Sequence, residues 1–274
     1  MQKLVSLGEI LMRLTCENYL RFSQAEKLEV GYGGSEANVL ISAANFGKPS
    51  EFVSVLPNND LGKAAVADLI LNDVGTTNII YRGEKLGSYF MERGAINRSG
   101  KIIYDRAYSA FSEIQREWFN WREILKDCDW FHWSGITPAV SKNAADVCRD
   151  AIKTAAEMGI TISADLNYRA NLWQYDVDPQ EIMTEFVQQS HILLAGNFPC
   201  EKFFALQTEG LNNEELTKLL IDKFPNLEKI VVTNRKEINA SHHTWSAFLF
   251  SNSKGYTSDT YEIFPIVDRV GTKR

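Results

Sequence analysis

An α/β fold with a mostly parallel sheet flanked by helices is predicted by the way short β-rich runs alternate with amphipathic helical patterns. Two stretches, 12–32 and 87–108, show alternating residues without intervening helical patterns and predict a small separate β-sheet, a flap or lid inserted into that fold. With 274 residues, 45% of them apolar, the chain can bury one large core. We therefore expect a single α/β domain over 1–274 with a small β-sheet lid.

The clearest β-α-β unit lies in the middle of the chain. Its first strand is predicted at 129–133, and a helix over 141–158 follows, with apolar residues at helical spacing and Gly159 as the left-handed cap. The apolar run 160–164 is the next strand. Because the two strands are joined by a helix, we expect them to be parallel neighbours.

Two further units repeat this pattern. A helical pattern through 182–187 leads to a strand at 191–195, and one through 216–220 leads to a strand at 229–233. In open sheets of this kind, ligands bind beyond the carboxyl ends of the strands. The residues just after each strand are therefore the candidates for a site.

Charge and cysteine content exclude several classes of function. The formal net charge of -6 gives no basic footprint for a polyanion, so we expect no nucleic-acid partner. The four cysteines include no Cys-x-x-Cys pair and the four histidines no His-x-x-x-His spacing, which indicates reduced thiols and no zinc site. A strand pattern opens the chain at 3–9, and no apolar run reaches membrane-spanning length. We therefore expect a cytoplasmic protein with no membrane partner.

The first chemical motif is the glycine-rich segment 31–38, Gly-Tyr-Gly-Gly-Ser-Glu-Ala-Asn, which precedes a predicted helix. Its glycines let backbone N–H groups approach a ligand closely, and Asn38 can both donate to and accept from a sugar hydroxyl. Glu36 stands where the dinucleotide fingerprint Gly-x-Gly-x-x-Gly requires its last glycine, so that fingerprint fails. The alternative interpretation is a tight turn with Ser35 as the helix N-cap.

Four segments, taken in order, resemble the motifs of a known family. They are the glycine segment with Asn38, Asn59-Asp60-Leu61-Gly62, Asp165-Leu166-Asn167-Tyr168-Arg169, and Val267-Asp268-Arg269-Val270-Gly271. Their order and separations resemble those of the ribokinase-like (PfkB) carbohydrate kinases over essentially the whole chain. Tyr104-x-Arg106, the segment 165–169 and the segment 238–242 are most similar to the 2-keto-3-deoxygluconate kinases within that family.

The resemblance implies a ribokinase-like fold and ATP-dependent phosphorylation of a keto-deoxy sugar acid at its terminal hydroxyl, with ATP and Mg²⁺ as cofactors. It also implies eight substrate-binding residues: Gly33, Gly34, Asn38, Tyr89, Tyr104, Arg106, Asn167 and Arg169. Two arginines suit a carboxylated sugar, because a guanidinium offers paired donors that match a carboxylate. The alternative for the arginines is a solvated charge or a structural ion pair, and for the tyrosines it is packing.

On the nucleotide side, the resemblance implies four binding residues: Asn197, Thr233, Arg235 and Gly271. Similar kinases carry Asn-x-x-Glu after the strand near 194, where the Glu organises magnesium-bound water. This chain has Asn197-Phe198-Pro199-Cys200-Glu201, which is one residue longer, so Glu201 is as easily a charge favoured by a helix N-terminus. Thr233 and Arg235 follow a predicted parallel strand, and a simple strand-end turn is the alternative to phosphate binding.

The last residues of the sequence depart from the family's pattern. Similar kinases continue into Gly-Ala/Gly-Gly-Asp, whose amides stabilise the moving phosphoryl group and whose aspartate takes the proton of the attacking hydroxyl. Here Thr272-Lys273-Arg274 stands in that place, and Asp268 belongs to the preceding strand end. We therefore expect no catalytic residue, no C-terminal helices and activity near background. Losing a general base costs about 10²–10⁴ in rate and losing an oxyanion-hole donor about 10²–10³.

Two other functions stay open. One is a kinase for a neutral sugar such as fructose or ribose, and the other is a non-catalytic sugar-binding or assembly module. In either case we expect a small-molecule partner, with a sugar acid favoured. We also expect a homo-oligomer, formed through the lid or through the sheet face that absent helices would leave uncovered.

Overall fold

A computed structural model describes residues 3–266 of the chain. The strands are β1 (Leu4–Leu7), β2 (Leu11–Cys16), β3 (Leu28–Gly33), β4 (Ser50–Leu56), β5 (Val74–Gly75), β6 (Ile79–Tyr81), β7 (Ser88–Glu92), β8 (Lys101–Asp105), β9 (Trp130–Ser134), β10 (Thr161–Asp165), β11 (Ile192–Ala195), β12 (Lys229–Asn239), β13 (His242–Ser251), β14 (Lys254–Thr257) and β15 (Tyr261–Ile263). The α-helices are α1 (Ser35–Asn45), α2 (Asp60–Leu71), α3 (Trp121–Ile124), α4 (Thr137–Val140), α5 (Lys142–Glu157), α6 (Pro179–Val187), α7 (Asn197–Phe204) and α8 (Asn213–Lys223).

The described residues divide into two compact units. The first unit contains residues 3–7, 114–234 and 246–259, and the second contains residues 8–113, 235–245 and 260–266. This division does not test the expectation of a single domain over 1–274, which stays a prediction. The two units are described separately below.

The first unit is built on a parallel sheet with the strand order β12-β11-β10-β9-β1. Helix α5 joins β9 to β10, and Ser141 caps it by accepting a hydrogen bond from the N–H of Ala144 at 3.1 Å. Gly159, at φ 68°, ends the helix as predicted. The strands predicted from 129 to 195 are confirmed with boundaries shifted by one residue, so the carboxyl ends of β9, β10 and β11 lie along one edge of this sheet.

Strand β12 is longer than the sequence pattern predicted. It continues past 233 to Asn239, and β13 follows and pairs antiparallel with β14 and β15. The polar run 233–237 concealed this extension, because no apolar residue marks the alternation there. The resulting hairpin adds antiparallel strands that the βα periodicity did not predict.

The second unit contains the small separate sheet predicted from 12–32 and 87–108, with the strand order β3-β2-β7-β8. Two antiparallel hairpins, β2–β3 and β7–β8, meet along a parallel pairing of β2 with β7. We call this four-stranded sheet the lid sheet. In the same unit, β4 pairs in parallel with β5 and β6.

The cysteines of this chain are thiols. All four are free, and burial raises the pKa of Cys128 to about 11 and that of Cys200 to about 12. Among the helices in residues 3–266, none is long and apolar enough to cross a membrane.

Candidate functional site

One row of residues crosses all four strands of the lid sheet. Arg13 on β2 lies opposite Gly31 on β3 and opposite Tyr89 on β7, and Tyr89 lies opposite Tyr104 on β8. Cross-strand partners project from the same face of a sheet. These four residues, which we call the inner row, therefore share one face, which we call the inner face.

The inner face continues two residues further along three of the strands. Gly33 follows Gly31 on β3, and a Cβ atom built on Gly33 would lie 3.2 Å from the hydroxyl oxygen of Tyr89. Gly87 precedes Tyr89, and a Cβ atom built on it would lie 3.4 Å from the Cβ of Arg106. Glycine therefore keeps room beside the phenol of Tyr89 and, at Gly87, beside the Cβ of Arg106 and the carboxylate of Glu9, whose Oε1 would lie 2.6 Å from the added Cβ. The structure brings together four of the predicted substrate residues: Gly33, Tyr89, Tyr104 and Arg106.

The two tyrosines of the inner row differ in exposure. Their ring centroids are 5.7 Å apart and their planes are tilted by 39°. Tyr89 is 4% exposed, whereas Tyr104 is 47% exposed. A packing role, which was the alternative considered for both tyrosines, thus agrees with the burial of Tyr89. Tyr104 is instead exposed at the surface of the lid sheet.

Arg106 is held by a buried carboxylate. Its Nε donates to Glu9 Oε2 at 2.9 Å, its Nη2 donates to the same oxygen, and Glu9 Oε1 accepts from the hydroxyl of Ser109 at 2.6 Å. The side chains of Arg106 and Glu9 are 11% and 2% exposed. A structural ion pair, which was the alternative considered for Arg106, is therefore present. Within the described chain, Nη1 of Arg106 donates no hydrogen bond, so the pair leaves that nitrogen for a ligand.

Helix α1 begins directly after β3. Its N-cap is Gly34, in extended conformation (φ -164°, ψ 151°) and with no side-chain hydrogen bond at the cap. The alternative interpretation named Ser35 as the N-cap, and in this it was wrong, because Ser35 is already the first helical residue. A Cβ atom on Gly34 would lie 2.2 Å from the backbone oxygen of Glu9, so only glycine fits there.

Asn38 lies one turn into α1. Its backbone N–H donates to the carbonyl of Gly34 at 2.9 Å, as expected for a first helical turn. Its side-chain Oδ1 is 4.0 Å from the position of a Cβ on Gly33. The predicted residues Gly33, Gly34 and Asn38 therefore form one cluster at the start of α1, beside the inner face.

Asn167 and Arg169 lie in the first unit, in the loop after β10. Asn167 has φ 33°, a conformation that asparagine tolerates, and its N–H donates to Asp165 Oδ1 at 3.2 Å. Burial raises the pKa of Asp165, while this hydrogen bond and the charge of Arg169 oppose the rise. Arg169 itself is exposed. The carboxyl end of this parallel strand thus carries a half-buried acid, and the loop after it carries an exposed guanidinium.

Two predicted nucleotide residues, Asn197 and Thr233, also lie in the first unit, and both are exposed. The side-chain amide of Asn197 donates to the backbone oxygen of Thr208 at 3.2 Å, and Glu201 accepts from the hydroxyl of Thr208. Because Asn197 and Glu201 are both bound to Thr208, they do not fit a magnesium site as they stand. Nowhere in residues 3–266 do three His, Cys, Asp or Glu side chains cluster as metal ligands. Gly271 lies outside the described residues, as does Asp268.

Arg235 lines a cavity of about 400 Å³ inside the second unit. The cavity also contains Glu237 of β12 and His243 and Trp245 of β13, and it is bounded by the lid-hairpin loop at 99–100. Glu237 Oε2 lies 3.9 Å from His243 Nε2. The sequence predicted Arg235 alone, because the other residues lie on the extension of β12 and on β13, which its pattern missed.

Sequence reasoning also missed Glu9 and Arg13. Glu9 follows β1 and was assigned only to a strand pattern, although it is the buried partner that orients Arg106. Arg13 falls within the predicted lid stretch, and its alternation with Leu11 would have placed it on the glycine face of the hairpin. Only the register with Tyr89 shows that it belongs to the inner row.

Comparison with known proteins agrees with this architecture. The profile of the pfkB family carbohydrate kinases matches residues 1–237. The structure of 2-dehydro-3-deoxygluconokinase from Thermotoga maritima is similar, with a TM-score of 0.94, 41% identity and coverage of 99% of this chain and 83% of that chain. A PfkB family carbohydrate kinase from Listeria grayi has a TM-score of 0.92 and 33% identity, with coverage of 98% and 83%. The α/β fold implied by the resemblance is thereby confirmed.

Two curated relatives have related names. The 2-dehydro-3-deoxygalactonokinase of Haloferax volcanii is 33% identical over 171 residues, which are 62% of this chain and 54% of the relative. The 2-dehydro-3-deoxygluconokinase of Bacillus subtilis is 24% identical over 170 residues, 62% of this chain and 52% of the relative. The chain thus spans about half the length of each. Because the family profile covers most of its residues, the chain belongs to the pfkB family of carbohydrate kinases.

Proposed function

We propose that the protein is an ATP-dependent kinase that phosphorylates a keto-deoxy sugar acid, 2-keto-3-deoxygluconate, at its terminal hydroxyl. The observation that carries the proposal is the inner face of the lid sheet, where two tyrosines and an oriented arginine surround glycines. Relatives named for 2-dehydro-3-deoxy sugar acids support the choice of substrate.

Each group on this face suits a polyhydroxylated acid. Gly33 lets the ligand approach the backbone, and the amide of Asn38 can donate to one hydroxyl and accept from another. Gly34, whose missing Cβ leaves room for the backbone oxygen of Glu9, stays a predicted substrate residue. Tyr104 offers an exposed phenol, and Nη1 of Arg106 offers a charged donor that its bond to Glu9 holds in place. Asn167 and Arg169, in the first unit, stay predicted substrate residues.

For the nucleotide, we propose that Arg235 binds phosphate oxygens from the cavity that it lines. Asn197, Thr233 and Gly271 stay predicted nucleotide residues. The proposed reaction is in-line attack of the sugar hydroxyl on the γ-phosphorus, in which positioning and electrostatic stabilisation dominate. The lid sheet would contribute by covering the sugar and excluding water.

A pair of sugars that differ at one carbon tests the substrate. 2-Keto-3-deoxygluconate carries a carboxylate at C1, and 3-deoxyfructose carries a CH₂OH group there on the same carbon skeleton. Titration calorimetry of the 274-residue chain should show the acid binding at least about tenfold more tightly, because charged hydrogen bonds contribute about 1.5–3 kcal/mol. Equal affinity for the two sugars would favour the neutral-sugar alternative.

Turnover is measured on the same samples with ATP. Sugar phosphate formation at a rate usual for sugar kinases would support the kinase, reject the non-catalytic binding module and overturn the expectation of activity near background, whereas binding of the acid without product would favour the module. The expectation of activity near background stays a prediction until that assay. An Arg235→Gln variant should raise the KM for ATP while leaving the affinity for the sugar unchanged.

We also propose that the protein forms a homo-oligomer through the outer face of the lid sheet. A second row, opposite in phase to the inner row, contains only apolar residues, Val30, Leu14, Phe90 and Ile103. Val30 is 62% exposed and Ile103 is 45% exposed, so burial of this row against a second copy would remove apolar surface from water.

Sedimentation velocity tests the oligomer. Ile103→Lys should shift the protein towards monomer, because a charge would be buried in the interface. Ile102→Lys, one residue away on the inner face, is the matched control and should leave the oligomer unchanged. Dissociation by both variants, or by neither, would contradict an interface on the outer face.

A further inference from the structure

We infer that Glu237 selects ribonucleotides by accepting a hydrogen bond from a ribose hydroxyl of the bound nucleotide. The inference rests on the proposed function, because it extends the phosphate site proposed at Arg235 to the organic group that carries the phosphates. Both residues line the same cavity of the second unit.

This cavity is larger and less polar than a phosphate group requires. Its volume of about 400 Å³ falls within the range of about 300–1,000 Å³ that is usual for small-molecule pockets. Besides Arg235 and Glu237, its lining includes the indole side chain of Trp245 and the apolar side chains of Ile263 and Ile266. A phosphate bound to Arg235 would therefore leave most of the cavity for the group attached to that phosphate.

Arg235 and Glu237 place opposite charges on one face of β12. They are two residues apart on the strand, so their side chains leave it on the same side and their Cα atoms are about 6.5–7 Å apart. The guanidinium of Arg235 forms no ion pair or hydrogen bond with residues 3–266, which leaves its donors for phosphate oxygens. Because the carboxylate of Glu237 repels phosphate, charge orients a nucleotide with its phosphates at Arg235 and its hydroxyls at Glu237.

The carboxylate of Glu237 has acceptor capacity to spare. Its Oε2 lies 3.9 Å from Nε2 of His243, which is too long for a hydrogen bond, and the side chain of Glu237 is 56% exposed. No hydrogen bond within residues 3–266 uses either carboxylate oxygen. Since an ionised carboxylate only accepts hydrogen bonds, a ligand that binds beside it must bring a donor.

A ribose brings that donor. Its 2′- and 3′-hydroxyls each carry a proton that can be donated to a carboxylate oxygen, and the ionised acceptor strengthens the bond. Acidic side chains bind ribose hydroxyls in this way in dinucleotide-binding folds. A deoxy analogue loses one donor and keeps the base and the phosphates. The contribution of Glu237 should therefore appear as a preference for ATP over a deoxy analogue.

Calorimetry with ATP, 2′-deoxyATP and 3′-deoxyATP, in the absence of sugar, tests this role. The unmodified chain should bind ATP about 3- to 30-fold more tightly than at least one of the two analogues. Glu237→Ala should reduce that ratio of affinities to less than about twofold, and Glu237→Gln, which keeps an acceptor oxygen without the charge, should give an intermediate ratio. The ratio is compared because the loss of a negative charge affects the binding of all three nucleotides alike.

Glu262→Ala is the matched control. Oε2 of Glu262 lies 3.8 Å from Nε2 of His242, and the side chain of Glu262 is 73% exposed, so this pair resembles that of Glu237 with His243. Neither Glu262 nor His242 is among the side chains that line the described cavity. The control removes the same charge and should leave the ratio unchanged. Should circular dichroism show that Glu237→Ala does not fold, Glu237→Gln, which keeps the side-chain volume, carries the test.

The outcomes separate two failures. If the unmodified chain binds ATP and both analogues equally, or if Glu237→Ala keeps the preference for ATP, the inference is wrong, while ATP binding leaves the proposed function standing. A Glu237→Ala variant that loses affinity for 2-keto-3-deoxygluconate instead would place the sugar acid in the cavity and also overturn the inference. If the unmodified chain binds no nucleotide, the proposed function and the inference fail together.

Discussion

Two rows of polar side chains cross β-strands in this protein, one in each unit, and they use their polar groups differently. The inner row of the lid sheet sets a guanidinium and two phenols beside glycine. In the parallel sheet of the first unit, Ser6, His132 and Ser163 lie opposite one another on β1, β9 and β10. The register alone does not distinguish the two rows.

Three hydrogen bonds within the sheet use polar atoms of the parallel-sheet row, whereas Nε2 of His132 has no partner among the described residues. The indole of Trp130 donates to Ser163 Oγ at 2.7 Å, so the Ser163 hydroxyl proton is assigned to His132 Nδ1, 2.8 Å away, and the ring proton to Nε2. The hydroxyl of Ser6 donates to the backbone oxygen of His132 at 2.6 Å. All three residues of the row are buried. Polar groups in a sheet therefore become a candidate binding site only where glycine leaves room and some of the groups reach solvent.

The largest expected effect is on the ion pair that supports the lid row. Glu9→Gln should lower the free energy of unfolding by about 3–5 kcal/mol, because it leaves the guanidinium of Arg106 buried without a compensating charge. Urea denaturation measures the change. Glu29→Gln, which breaks the more exposed pair with Arg93, is the matched control and should cost less than about 1 kcal/mol. Equal losses would mean that burial of Glu9 adds nothing.

The free energy of unfolding should depend on pH because of His132 in the parallel-sheet row. Burial lowers the pKa of His132 from 6.5 to about 4, so between these values the unfolded chain binds more protons than the folded chain. The stability that the neutral imidazole contributes is complete above pH 6.5 and is lost as the pH falls through this window, by about 3 kcal/mol at most.

A variant isolates that contribution. His132→Gln cannot titrate, so its free energy of unfolding should fall less steeply than that of the wild type between pH 6.5 and 4. The difference between the two urea-denaturation series measures the histidine alone. Parallel curves for the two proteins would show that His132 does not carry the acid sensitivity.

A pair of glycine variants sharpens the comparison within the lid unit. Gly34→Ala should destabilise the fold by about 1–3 kcal/mol, because the new Cβ would meet the backbone oxygen of Glu9 at 2.2 Å. Gly33→Ala meets the hydroxyl end of the Tyr89 side chain at 3.2 Å and should cost less than about 1 kcal/mol. Thermal unfolding followed by circular dichroism compares them. A larger loss of stability for Gly33→Ala would show that the side chain of Tyr89 cannot move to make room for the new Cβ.

Sequence patterns predicted the parts of this structure that repeat. The β-α-β units could be predicted because apolar residues recur at fixed spacing and Gly159 ends a helix. The glycine segment and Tyr104-x-Arg106 were readable as motifs. The extension of β12 could not be predicted in this way, because residues 233–237 are polar and exposed.

Partners across strands were also beyond the sequence. Whether Arg106 was a ligand or half of an ion pair depended on Glu9, 97 residues away along the chain. Membership of Arg13 in the inner row depended on the parallel register of β2 with β7. Such contacts between distant segments follow from the fold as a whole, and local periodicity carries no information about them.

The smallest expected effect separates the two tyrosines of the inner row. Tyr104→Phe should weaken the binding of 2-keto-3-deoxygluconate by about 0.5–1.5 kcal/mol, because the exposed side chain loses one hydrogen bond to the ligand. The melting temperature should not change, because the ring keeps its packing. Tyr89→Phe removes a hydroxyl from a buried ring beside Gly33, so it should lower the melting temperature as well as the affinity. For both variants, calorimetry measures the affinity for the sugar acid and thermal unfolding measures the melting temperature. If Tyr104→Phe alters stability as much as Tyr89→Phe does, the exposed end of the row is part of the packed lid, and its hydroxyl is not reserved for the sugar.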